Sequence, residues 1–232
     1  MMLALTAFRN VAIMTNHKSR LMVPARWDPM TGEQRPADEM SNLLTHVLGF
    51  LLSLAATFLL MPIVMARQEL RTTLACGVYC LTLVLLYGAS TLSHAFRDRG
   101  LRRMFRTLDP ACIYLLIAGS MTPFAVVFLR QGRWWLFLPA MWALAVAGVM
   151  FVLRQRDLSG PVKITYGALG WLPVVAFPEL SRHAPFGLLL WIAAGGAFYS
   201  IGTIFLTFDL RVRYFHAVWH LFVVAGSICH YV

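Results

Sequence analysis

Residues 73–96 read TLACGVYCLTLVLLYGASTLSHAF, twenty-four residues without a single Asp, Glu, Lys or Arg. As a helix this stretch rises about 36 Å at 1.5 Å per residue, more than the roughly 30 Å of hydrocarbon in a bilayer. It therefore predicts a membrane span. Six further apolar segments flank it, at 43–65, 110–129, 134–153, 164–180, 186–206 and 215–232. No segment shows the alternation of a half-buried strand, and short loops join them, so the pattern predicts an all-α bundle of seven membrane helices in one domain, 42–232. The composition agrees: of 232 residues, 59% are hydrophobic and 13% charged, with a mean hydropathy of +0.68. A soluble domain carries about 25% charged residues, which excludes a secreted or cytosolic globular enzyme.

Residues 1–41 mix charges with Pro24, Gly32 and Pro36. They read as a partly disordered N-terminal tail, and the short run Met1–Thr6 followed by Arg9 predicts no cleaved signal. The net charge of +10 comes from basic residues clustered in loops, with no polar domain to present a nucleic-acid surface. Their distribution sets orientation instead. Fifteen Lys and Arg fall on the side of the tail and five on the other, which predicts a cytoplasmic N-terminus and an external C-terminus. Cys76, Cys80, Cys112 and Cys229 lie inside apolar segments without zinc-site spacing and read as packing residues.

Ionisable groups inside membrane helices are costly and ask for a partner or a function. In the second span Ser90 and His94 are four apart, on one face near its cytoplasmic end. Asp109 opens the third span at the same depth, and His216 and His220 stand one turn apart at the start of the seventh. Three helix ends thus bring a Ser/His pair, an Asp and a His/His pair to one layer. An i, i+4 histidine pair is a two-ligand platform, and His94 offers a third nitrogen, a set that suits zinc with one position left for water. His46, one turn after Asn42, has the right depth to brace the site from behind or to join helices. His230 lies ten residues beyond His220, about 15 Å further along the helix, and is excluded from the metal. His17 and His183 have no such neighbours.

Each residue also has an ordinary reading. Asp109 before Pro110 is the pattern of an N-cap with Pro at N1. Ser90 can bond back to its own helix. Trp134 and Trp135 read as interfacial anchors, Gly195 and Gly196 as close helix packing, and Pro139, Pro173 and Pro178 as tolerated kinks.

Taken together, SNLLTHVLGF (41–50), STLSHAF (90–96), LDPACIYLLIAGSMTPF (108–124) and HAVWHLFVVAGSICH (216–230) resemble the haemolysin III, TrhA-like, bacterial branch of the progestin and adipoQ receptor family, relatives of the adiponectin receptors. The resemblance runs from about residue 39 to the end. It implies seven helices in the bacterial inner membrane and a zinc ion held by His94, His216 and His220, with Ser90 and Asp109 beside the water on the metal. Such a centre lowers the pKa of water towards about 7; Asp109 would act as base and Ser90 would orient the water or donate to an oxyanion. The implied reaction is ceramidase-like hydrolysis of an amide or ester bond in a membrane lipid, with a role in membrane lipid or energetic homeostasis. A non-enzymatic regulator with structural zinc is the alternative, and a pore-forming cytolysin the weakest reading, since no span carries a polar stripe able to line an aqueous path. Substrate and oligomeric state are not encoded in these patterns.

Overall fold

The computed structural model describes residues 36–155, 160–209 and 211–232. Among these residues the fold is entirely helical. Eight α-helices follow in order: α1 Pro36–Ala66, α2 Leu70–Ala95, α3 Arg99–Phe128, α4 Phe137–Gln155, α5 Gly160–Trp171, α6 Pro173–His183, α7 Phe186–Phe208 and α8 Phe215–Tyr231. A 3₁₀ turn, Gly132–Leu136, carries Trp134 and Trp135 into α4. Five of the helices, α1 to α4 and α7, are long and apolar enough to cross a membrane.

The apolar segments are all helical, but three boundaries differ from expectation. The segment 164–180 is two helices, α5 and α6, because Pro173 has no N–H to continue the ladder; Leu172 N closes a tighter turn onto Leu169 O at 3.3 Å. Second, α3 begins at Arg99, capped by Asp98, whose Oδ1 accepts from Leu101 N at 2.9 Å. Asp109 and Pro110 therefore lie inside the helix, and the reading of Asp109 as its N-cap is wrong. Third, α1 starts at Pro36, within the segment assigned to the tail. The rest of that tail, with His17, lies outside the described residues.

Why α1 reaches so far back is visible in its buried face. Asp38, Asn42, His46 and Ser53 are all nearly inaccessible, while Leu44, Leu48, Leu51, Phe58 and Leu59 point outward. The helix is polar inside and apolar outside, as a lipid-facing helix around a polar site has to be. It sits tightly on α2, where Gly49 admits the ring of Tyr87; a Cβ there would lie 2.5 Å from Tyr87 Cδ1.

Two of the three buried clusters found among the described residues hold most of the bundle. One joins α2, α3 and α8 through Tyr79, Leu83, Leu86, Tyr87, Leu116, Trp219 and Val223. The other joins α3 to α4, α5 and α6 through Tyr114, Met121, Met141, Tyr166 and Leu180. Helix α7 packs on α8, where a Cβ on Gly202 would meet Trp219 at 2.8 Å and one on Gly226 would meet Tyr199 at 2.7 Å. On its other side α7 leaves a gap to α5 and α6, and the main cavity lies there.

Candidate metal centre

Four imidazoles converge at one end of the bundle, from α1, α2 and the start of α8. His46, His94 and His220 each offer a ligand nitrogen within 4.8 Å of the others. The His216 ring centre lies 4.4 Å from that of His220 and 5.8 Å from that of His94, and His46 approaches His220 to 3.6 Å. His46 and His220 are buried, as is the side chain of His94.

Three of the four rings are held from behind through Nδ1. His94 Nδ1 donates to Glu39 Oε2 at 2.7 Å, and His216 Nδ1 to Asp209 Oδ2 at 2.7 Å. Thr45 Oγ1 donates to Ser41 O at 3.0 Å, so at 3.0 Å from His220 Nδ1 it accepts the ring proton. A proton fixed on Nδ1 leaves the lone pair on Nε2, the tautomer that binds a metal, with its outer partner in place. In His94, Nε2 is buried without a hydrogen-bond partner. His46 differs, since neither of its nitrogens has a hydrogen bond and no carboxylate orients it. Asn42, one turn earlier on α1, is buried on the same face.

The carboxylates are themselves anchored. Glu39 Oε1 accepts from Arg102 Nη2 and Arg106 Nη2, both at 2.8 Å, so α1 and α3 grip each other beside His94. Asp38 Oδ1 accepts from Arg213 Nε at 3.0 Å, and the Arg213 guanidinium stacks over Tyr214 at 4.6 Å. Tyr214 has φ 64°, a left-handed turn that a bulky residue adopts only when its surroundings enforce it. The bond to Asp38 also raises the affinity of the Arg213 guanidinium for its proton. Lys163 Nζ donates to Leu206 O at 2.8 Å and lies 3.8 Å from Asp209 Oδ1, linking α5 to the end of α7.

Ser90 and Asp109 stand beside the imidazoles and line the same cavity. Ser93 Oγ donates to its own helix at Ser90 O and reaches Asp109 Oδ2 at 3.5 Å. Ser90 does not bond back to its helix; its fully buried hydroxyl lies towards the Asp109 carboxylate. The cavity has a volume of about 780 Å³ and runs from His46, His216 and His220 to His230 between mostly apolar walls. Several residues that line it, Ile164, Trp171, Val174 and Phe177 on α5 and α6 and Ile201 on α7, are also exposed on the outer face. A Cβ added to Gly167, Gly170 or Gly196 would meet open space. The cavity thus opens sideways between α5/α6 and α7, where a membrane protein faces lipid.

Sequence reasoning missed Glu39, Thr45 and Asp209, the groups that hold the rings. Glu39 was legible in principle: Glu39, Asn42 and His46 share one face once the helix is extended back to residue 36. Asp209 carries no such signal, because a turn separates it from His216. The cysteines are free and buried, and His183 Nδ1 lies 3.1 Å from Glu179 O, away from the cluster.

Known proteins share this pattern over nearly the whole helical region. The family model described as haemolysin-III related matches residues 34–231. Hemolysin-3 of Bacillus cereus is 36% identical over 195 residues, covering 82% of this chain and 87% of that protein. A Hemolysin-3 homolog of Bacillus subtilis (strain 168) is 32% identical over 197 residues, covering 82% and 89%. The human monocyte to macrophage differentiation factor is 24% identical over 216 residues, covering 88% and 86%. No solved structure matches the chain. A match across 34–231, carried by the same helices that bring the imidazoles together, makes this multi-pass membrane protein a member of the haemolysin III branch of the progestin and adipoQ receptor family.

Proposed function

We propose that the chain is a zinc-dependent hydrolase of amide or ester bonds in membrane lipids, acting in lipid homeostasis of the bacterial inner membrane. It spans that membrane seven times, with α5 and α6 forming one broken span and the histidine end facing the cytoplasm. One observation carries the reading: two imidazoles with Nδ1 occupied from behind, His216 and His220, border an apolar cavity that is open to the side, and a third such ring, His94, stands next to them. His94, His216 and His220 would hold the metal through Nε2. The orienting bonds favour this set over His46, His94 and His220, whose nitrogens lie within 4.8 Å of one another, because His46, beside them on the cavity wall, has no such bond.

Zinc bound there supplies a positive centre that polarises a carbonyl and acidifies water. The other roles belong to side chains. Asp109, on the cavity wall, takes the proton of the attacking water as the oxygen bonds to the carbonyl carbon. It then returns that proton to the leaving amine or alkoxide as the carbon–nitrogen or carbon–oxygen bond breaks. The Ser90 hydroxyl, beside Asp109 on the cavity wall, donates to the oxyanion. The acyl chain enters between α5/α6 and α7 and lies along the apolar walls.

The test is release of fatty acid from a panel of lipid amides and esters by the purified, zinc-loaded protein. Wild type is expected to turn over at least one class, and Asp109→Asn to keep its zinc while losing turnover by about 10²-fold or more. A wild type that holds zinc and hydrolyses nothing, while its deletion still alters membrane fluidity, would leave the regulator with structural zinc as the correct reading.

A further inference from the structure

The deep end of the cavity holds a group that hydrolysis does not use. His230 lies on α8 ten residues beyond His220, about 15 Å further along the helix, and lines the same cavity. Its ring is framed edge-on by Phe124 at 6.1 Å and Tyr199 at 5.5 Å between centroids. Space for it is reserved across the α7 contact, where a Cβ on Gly195 would sit 2.3 Å from His230 Cδ2.

The chemistry of the ring follows from its one hydrogen bond among the described residues. His230 Nε2 lies 3.4 Å from Ile192 O, and a carbonyl only accepts, so the proton is on Nε2 and Nδ1 is an acceptor. Nδ1 is buried and without a partner. The hydroxyls nearby do not reach it: Tyr199 and Tyr87 both bond Ser227 Oγ, at 3.0 and 2.9 Å, and Tyr79 donates to Ser227 O at 2.8 Å. An unsatisfied acceptor at membrane depth is costly unless something arrives to satisfy it.

We propose that His230 is a second binding position, which accepts a hydrogen bond from a hydroxyl placed far down the acyl chain of a lipid whose carbonyl lies at the imidazole cluster. This rests on the reading of the cavity as a lipid site and names the substrate class, a hydroxylated acyl lipid. An acceptor selects a donor, so a hydroxyl is preferred over a keto group or a bare methylene at the same place.

The experiment compares ricinoleate, its keto analogue and oleate as ligands of the purified zinc-loaded protein, by calorimetry or thermal shift. Wild type is expected to bind ricinoleate about tenfold more tightly than oleate, the worth of one buried hydrogen bond, and the keto analogue no more tightly than oleate. In His230→Phe the preference disappears while oleate still binds. Equal binding of ricinoleate and oleate by wild type, tight binding of the keto analogue, or a preference that survives in His230→Phe would overturn the assignment and leave the lipid cavity standing. The keto comparison needs no variant, so a misfolded His230→Phe does not shield the idea. If no fatty acid binds, the lipid cavity fails and this assignment fails with it.

Discussion

The two ends of the bundle treat their carboxylates in opposite ways. At the histidine end Asp38, Glu39 and Asp209 are almost closed off from solvent, and each is bonded to a residue of another helix or loop: Arg213, His94 with Arg102 and Arg106, and His216. At the opposite end Glu69 is half exposed and pairs with a half-exposed Arg130 at 3.1 Å, while Glu179 is as closed off as Glu39 but bonds only within its own helix, to Arg182 at 3.2 Å. Burying a carboxylate costs several kcal/mol unless its partners return most of it, and an exposed pair contributes about 0–1 kcal/mol. Only the first end ties buried carboxylates to other helices and loops, and two of its three, Glu39 and Asp209, bond the rear nitrogens of imidazoles, as carboxylates behind metal-binding histidines do.

The contrast predicts graded effects. The largest comes from the rings themselves: His94→Ala, His216→Ala and His220→Ala each lose the zinc, measured as metal per folded chain. Glu39→Gln and Asp209→Asn come next. They keep the ring contacts but weaken the acceptor, and are expected to lower zinc affinity by about 10–100-fold in competition with a chelator. An unchanged affinity in both would break the comparison. His46→Phe sharpens it, because a ring without an orienting bond is expected to be replaceable with zinc retained. The smallest effect belongs to Glu69→Gln. The hydrogen bond from Arg130 holds the Glu69 carboxyl below its ordinary range, so any stability it gives is present at neutral pH and fades as pH falls through that lowered value. On an exposed pair this changes Tm at pH 7 by no more than the scatter of the measurement.

Hydropathy made the helices legible, because each long apolar segment has one way to satisfy its backbone in lipid. The candidate residues were visible too, since Ser90, His94, His216 and His220 stand inside those segments and Asp109 at the edge of one. What was hidden depends on partners distant in sequence. Asp38 and Glu39 look like tail residues until Arg213, Arg102 and Arg106 are seen around them, and so the start of α1 was placed seven residues late. Asp109–Pro110 has the local signature of a helix start, but Asp98 caps α3 eleven residues earlier and the helix runs through the proline. His230, set aside because it is too far to share a metal with His220, turned out to line the same cavity as His220 at its other end.

The central claim is that three imidazoles, fixed from behind, hold one zinc against the lipid cavity. A structure of the purified protein with anomalous scattering recorded at the zinc edge tests it most directly. One zinc peak at about 2.0–2.1 Å from Nε2 of His94, His216 and His220, open to the cavity, is the predicted result. A zinc-supplemented crystal with no peak there, or a metal enclosed by four protein ligands and sealed from the cavity, would contradict it.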